Sequence, residues 1–114
     1  MYIEFNYNMA TYNRQLKVSN LDNYLSQINK LSNPYTIVKF KFRAGNCYMK
    51  SGNKRNLMKA IDLFNDVYDI LSKYRGAQDP RTLNVVLFII KCEKKLEELK
   101  DKAIKEKRRK EEEK

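Results

Sequence analysis

The chain of 114 residues contains no histidine and no tryptophan, and it has only three glycines, two prolines and two cysteines. Without histidine it lacks the side chain that most often acts as a general base or binds a transition metal near neutral pH. Its glycines do not form a phosphate-binding loop, because six residues separate Gly45 from Gly52 where the P-loop pattern has four. We therefore expect no enzyme activity, no cofactor, no metal and no small-molecule substrate.

The two cysteines, Cys47 and Cys92, are far apart, and no histidine is present to complete a metal site or activate a thiol. We interpret them as reduced core thiols. The longest apolar run, residues 85–90, has six residues, whereas a membrane span needs about 20. The start of the chain lacks the basic and apolar segments of a signal peptide. These features predict a cytoplasmic protein outside membranes, with the cytoskeleton or another large assembly as an open alternative.

The charge of the chain is strongly positive and unevenly distributed. Its formal net charge is +10, from 24 Lys and Arg against 14 Asp and Glu. Residues 23–61 contain eight basic residues and no carboxylate, whereas residues 91–114 mix eleven basic with eight acidic residues. A clustered excess favours an acidic partner. The alternative is a coding sequence rich in A and T, which raises the lysine content without any ligand.

The spacing of apolar residues predicts an all-α protein of about four helices. Residues 1–18 have no clear period, and we expect an irregular or partly helical segment there. A first helix should run from Leu21 to about Ser32, and Pro34 should begin a second helix that Asn33 or Ser32 caps. The remaining helices are predicted at residues 55–74 and from Pro80 onward, the last one capped by Asp79 and ending in a charged tail.

The second helix carries a polar stripe with an apolar flank. At 100° per residue, Lys39, Arg43, Asn46 and Lys50 fall within about 60° of one another. Phe42 and Met49 belong to the flank beside this stripe. Gly45 lies in the middle of the helix, at a cost of about 1 kcal/mol relative to alanine. We expect that the backbone of a neighbouring helix approaches closely at that point.

The last helix begins with apolar residues on all sides over residues 83–90 and then narrows to one seam. Cys92, Leu96, Leu99 and Ala103 follow one another at spacings of four, three and four, the pattern of a coiled coil. Since no later part of the sequence offers an apolar face, we predict that this seam packs against another chain, either a second copy or a larger partner.

Five residues of the second and third helices follow the order Gly, Tyr, Gly, Ala, aromatic that marks a tetratricopeptide repeat (TPR). They are Gly45, Tyr48, Gly52, Ala60 and Phe64. The connection at residues 74–84 resembles the one between repeats of the kinesin-light-chain type, with a glycine, then a proline and Thr-Leu-Asn. The resemblance covers residues 36–96, about one and a half repeats. The chain departs from the pattern at Lys41, where an aromatic residue is usual, and in the loop between the second and third helices, which we expect to be three residues longer.

The TPR resemblance implies a ligand groove lined by the first helix of each repeat. With Gly45 fixing the register, the groove positions are Lys39, Phe42, Asn46, Met49 and Lys50, and Arg43 completes the stripe. The expected organisation is an N-terminal segment (1–18), a TPR-like domain (19–96) and a charged helical tail (97–114). The function implied is a non-catalytic module that binds an acidic or partly apolar protein segment. The alternatives are an unrelated helical bundle and a small structural subunit whose basic face contacts a polyanion such as a microtubule or RNA.

Overall fold

A computed structural model of the chain describes residue 19 and residues 21–112. This part of the chain forms four α-helices and no strand: α1 (Leu21–Ile28), α2 (Pro34–Ser51), α3 (Lys54–Arg75) and α4 (Pro80–Glu112). The predicted all-α class is confirmed. The expected N-terminal segment, residues 1–18, lies outside the described residues.

Three side-chain caps fix where the longer helices begin. Asn33, Asn53 and Asp79 each accept a hydrogen bond through a side-chain oxygen from a backbone amide two or three residues further on, at 2.9–3.0 Å. These bonds satisfy amides that have no partner within the helix. Asp79 is the cap that the sequence predicts, and Asn33 is one of the two predicted candidates. Each stands directly before the proline that opens its helix.

Helix α1 is shorter than predicted, because it ends at Ile28 instead of continuing to Ser32. The backbone tightens there, and the amide of Leu31 donates to the carbonyl of Ile28 at 3.0 Å. Leu31 packs against the core from this turn. Leu31 has the spacing of a helical core residue and does reach the core, but it does so from a turn.

The connection between α2 and α3 consists of only two residues, Gly52 and Asn53. Gly52 takes the left-handed conformation with φ 75°, which glycine adopts without steric cost. The hydroxyl of Ser51 donates to the carbonyl of Tyr48 and accepts from the side chain of Asn56, both at 2.8 Å. The prediction that this loop is three residues longer than in a TPR is wrong, because α2 continues through Ser51 and only two residues connect it to α3.

Contacts between the helices establish their directions. Lys41 meets Asp66, and four residues later in α2 Gly45 meets Phe64, so α2 and α3 are antiparallel. Three phenylalanines, one from each long helix, join α4 to this pair. The ring centroids are 5.4 Å apart for Phe42 and Phe64, 4.8 Å for Phe42 and Phe88, and 5.6 Å for Phe64 and Phe88. We refer to these three residues as the phenylalanine triad.

Helix α1 covers a different side of α2. Leu21, Tyr24 and Ile28 are all fully buried. The ring of Tyr24 meets that of Phe40 edge-on, with centroids 6.0 Å apart. Burial raises the pKa of Tyr24, and the nearby charge of Arg43 opposes this effect only in part. The core therefore extends from α1 through α2 and α3 to α4.

Lys41 forms a salt bridge with Asp66, with 3.0 Å between Nζ and Oδ2. Its side chain is only 17% exposed, so the aliphatic part lies against the protein while the ammonium reaches the carboxylate. Lysine therefore serves at the position where TPR sequences usually have an aromatic residue. A pair of this kind contributes at most about 1 kcal/mol.

At Gly45, α2 lies very close to the ring of Phe64 on α3. A Cβ atom at this position would lie 2.6 Å from Cε1 and 2.9 Å from Cζ of Phe64. The group that approaches is an aromatic ring, so the expected approach of a neighbouring helix backbone is wrong. Because Phe64 is fully buried among the triad, its ring has little room to move aside.

We predict that Gly45→Ala destabilises the protein by about 1–2 kcal/mol, since overpacking costs more than the helix propensity that alanine adds. Phe64→Leu alone should also destabilise, because it loses ring contacts in the core. In a Phe64→Leu background, however, Gly45→Ala should be neutral or stabilising. Urea unfolding of the four proteins measures this coupling. Equal losses from Gly45→Ala in both backgrounds would show that the ring does not restrict this position.

Candidate functional site

A pocket of about 270 Å³ lies between α2, α3 and α4. Its walls are mainly apolar, and three polar or charged side chains, Lys39, Arg81 and Asn84, complete its lining. The apolar part of the lining is formed by Tyr35, Val38, Phe42, Val67, Leu71 and Val85.

The start of α4 is firmly anchored beside this pocket. Thr82 is fully buried, and its hydroxyl donates to the carbonyl of Gly76 at 2.9 Å. Asp79 caps the same turn through the amide of Arg81. These bonds hold the first turns of α4, from which Arg81 and Asn84 line the pocket. The Thr-Leu-Asn sequence that resembles a TPR connection thus contributes a buried anchor and a pocket residue.

The pocket has a positive charge that no lining residue neutralises. Lys39 and Arg81 are exposed, and the nine lining residues include no carboxylate. In residues 21–112 neither of these two cations forms an ion pair. By contrast, Asp66 neutralises Lys41, which lies only two positions from Lys39. An unpaired cation at the edge of an apolar cavity attracts anionic groups, because the low-dielectric walls screen the charge less than water does.

Two of the six predicted groove residues, Lys39 and Phe42, line the pocket. Asn46 and Met49 are half-buried one and two turns further along α2, outside the lining, and Met49 packs against the core. Arg43 and Lys50 are exposed and also lie outside the lining. Only the start of the predicted stripe therefore lines the pocket. The other four predicted residues lie further along α2, outside it.

Sequence reasoning did not identify Tyr35, Arg81 and Asn84 as site residues. Arg81 and Asn84 belong to the connection segment that resembles a TPR, but the helical period of α2 gives no indication that α4 comes beside it. A signal was available for Tyr35, since it is four residues before Lys39 and seven before Phe42 on a helix. Extending the stripe by one turn would have included it.

A surface of aromatic and basic side chains adjoins the pocket. Tyr35 and Tyr74 are both half-exposed, and their ring centroids are 6.3 Å apart. The guanidinium of Arg75 lies 5.2 Å from the centre of the Tyr35 ring, a cation–π distance. Tyr35 also lines the pocket, so the pocket is continuous with this aromatic and positively charged surface.

The predicted partner-packing seam requires a correction at its first position. Cys92 is 0% exposed and belongs to the core that also contains Phe64 and Leu57, so it is not accessible to another chain. Leu96 is half-buried and packs against the same core. Helix α3 packs against α4, and Phe64 of α3 meets Phe88, which is one turn before Cys92 on α4, so this part of the seam faces the core. Leu99 and Ala103 remain exposed beyond it.

Comparison with known proteins found no matching family model, no similar curated protein and no similar solved structure. Within residues 21–112, no helix is long and apolar enough to cross a membrane. The same residues contain no group of three or more histidine, cysteine or acidic side chains that could hold a metal ion.

We predict that the two thiols differ in reactivity. Burial raises the pKa of Cys47 and of Cys92, and a lysine opposes the shift in each case, Lys50 for the first and Lys95 for the second. Little thiolate therefore forms near neutral pH, and both should react slowly with iodoacetamide. Cys92 should react only after unfolding, whereas half-buried Cys47 should react faster, and more so as the pH rises. Peptide mapping by mass spectrometry would follow both sites, and equal rates in the folded protein would contradict the position of Cys92.

Proposed function

We propose that this chain is a non-catalytic, TPR-like protein interaction module that binds an acidic peptide segment through the pocket between α2, α3 and α4. The observation that carries this proposal is the combination of an apolar cavity with the unpaired cations Lys39 and Arg81 at its edge. Such a site favours a ligand in which an apolar group and a carboxylate are close together.

The size of the pocket supports a peptide side chain as the apolar group. Sites for whole small molecules usually measure about 300–1,000 Å³, and this pocket, at about 270 Å³, is at the lower end of that scale and has room for one peptide side chain. Burying one leucine- or phenylalanine-sized side chain contributes about 1.5–3 kcal/mol. Carboxylates on neighbouring peptide residues would then lie near Lys39 and Arg81, where they add selectivity for acidic sequences.

The TPR-like assignment rests on the residues of the repeat pattern and on the helix directions. Helices α2 and α4 each run antiparallel to α3 and therefore run in the same direction beside one another, as the first helices of successive repeats would. Gly45 and Phe64, two positions of the repeat pattern, are in direct contact. Free cysteines fit the cytoplasmic location that we also propose.

The function can be tested with a library of short peptides that combine one apolar residue with several aspartates or glutamates. Lys39→Glu with Arg81→Glu should weaken binding about tenfold or more, because two attractive contacts become repulsive. The matched control is Lys30→Glu with Lys54→Glu, two exposed residues outside the pocket. Each double variant reverses two charges and so lowers the formal net charge from +10 to +6. The control should retain the affinity of the parent in fluorescence anisotropy.

Two further measurements separate this proposal from binding to a polyanion. If both double variants lose affinity equally, and single-stranded RNA binds the parent with a steep salt dependence, the basic excess acts as a diffuse polyanion surface and the pocket hypothesis is wrong. In the peptide itself, replacing the apolar residue by serine should reduce affinity while leaving the charge unchanged. Circular dichroism of every variant should match the parent, because Lys39 and Arg81 are exposed.

A further inference from the structure

Arg75, the last residue of α3, lies beside the pocket and contacts an aromatic ring. Its guanidinium is 5.2 Å from the centre of the Tyr35 ring, and Tyr35 lines the pocket. Arg75 is exposed, and its side chain forms no hydrogen bond or ion pair with residues 21–112. A cation–π contact leaves the N–H donors of a guanidinium free for hydrogen bonds. The group is therefore restricted in position and still able to bind an anion.

No carboxylate within residues 21–112 neutralises Arg75. Helix α2 contains no acidic residue, the first one on α4 is Glu93, and Asp22 of α1 is near the C-terminal end of α2. The nearest acidic residue of α3, Asp69, lies about 120° around the helix from Arg75, at 100° per residue. Asp79 is close in sequence, but its carboxylate caps the first turn of α4. Neither of these two aspartates forms an ion pair with Arg75.

Three further cations lie at the same end of the helices. Lys39 and Arg81 line the pocket, and the ammonium of Lys73 is 5.5 Å from the centre of the Tyr74 ring. None of the three forms an ion pair within residues 21–112. The positive charge at the pocket therefore continues across the two tyrosine rings to Arg75. This arrangement is complementary to an acidic ligand that extends beyond the pocket.

We propose that Arg75 is a second carboxylate-binding subsite, which takes an acidic residue of the same peptide whose apolar residue occupies the pocket. The proposal rests on the function proposed above and adds a second acidic position to the ligand. Tyr35 is the positioning residue, because its ring contacts the guanidinium and also forms part of the pocket wall. Arginine suits this role better than lysine, since its planar group can donate two parallel hydrogen bonds to one carboxylate.

The separation of the two subsites determines the spacing of the acidic residues in the ligand. Lys39 is one turn of α2, about 6 Å, from Tyr35. The guanidinium of Arg75 lies a further 5.2 Å from the Tyr35 ring. The subsites are therefore on the order of 10 Å apart, and an extended peptide covers this distance in about three residues. A peptide with a single acidic residue beside its apolar one would leave Arg75 unoccupied.

The geometry of the tyrosine rings favours a peptide over single-stranded nucleic acid, whose bases stack on exposed aromatic side chains. Arg75 already lies over the Tyr35 ring. The rings of Tyr35 and Tyr74 are inclined at 53° to each other, with centroids 6.3 Å apart, so they form no parallel slot for a base. A carboxylate needs only the free donors of Arg75.

A double-mutant cycle between protein and peptide tests the subsite. The probes are labelled peptides with one leucine, a glutamate beside it and a second glutamate at successive positions on either side, in a background of serine and glycine. At the best position, replacing the second glutamate by glutamine should weaken binding to the parent about fivefold at low ionic strength, the effect of one exposed charge pair. With Arg75→Gln protein the same replacement should have no effect.

The matched control is Arg55→Gln, which changes an exposed arginine at the other end of α3 and should keep the preference for the second glutamate. Arg75→Lys should keep only part of the preference, because lysine lacks the planar fork. Tyr35→Phe should preserve it, whereas Tyr35→Leu should lower it, since only the first retains an aromatic ring beside the guanidinium.

Three results would overturn the proposal. If the second glutamate adds no affinity at any position while the leucine peptide still binds, the subsite is wrong and the pocket stands. If no acidic peptide binds the parent, the proposed function and the subsite fail together. If Arg75→Gln keeps the preference for the second glutamate but weakens binding of single-stranded polyuridine, this surface binds nucleic acid instead of a peptide carboxylate.

Discussion

The packing of the Phe64 ring against the backbone of α2 at Gly45 is the contact on which the rest of the fold depends. It allows the ring to lie so near α2 that it also meets Phe42 of α2 and Phe88 of α4. The buried ring of Phe64 thereby sets the distance of α3 from α2 and from α4. The pocket forms just beyond the triad, where Val67 and Leu71 continue from Phe64 along α3. The pocket therefore lies next to the contact that Gly45 permits.

Much of the fold can be predicted from the sequence because its signals are local. Asn33 and Asp79 cap the helices that they precede, and the periodicity gives the long helices to within one or two residues at most ends. Local signals fail where a tertiary contact decides the outcome. The end of α1 is one such case, since Leu31 keeps the apolar spacing of a helix but reaches the core from a turn.

The candidate site was less predictable, for a related reason. Helical periodicity identifies which side chains of α2 share a face, but it does not identify which helix comes to cover them. Lys39 and Lys41 illustrate this point: both are lysines on one helix in the same basic segment, yet one pairs with Asp66 and the other lines the pocket. Arg81 joins Lys39 only because α3 reverses the chain and returns α4 to α2. The reversal of the chain by α3 also buries Cys92. The heptad spacing of α4 alone predicts that this residue lies in an accessible seam.

The length of α4 determines which charges can influence the pocket. The helix rises about 1.5 Å per residue, so the basic cluster at residues 105–110 is roughly 36–44 Å along the axis from Arg81. Physiological salt screens charges over about 8 Å. The field in the pocket therefore arises from Lys39, Arg81 and their immediate neighbours, and the charge of the distal helix is electrostatically independent of it. The basic cluster of the distal helix and the cations at the pocket are both positively charged, but each acts on its own surroundings independently of the other.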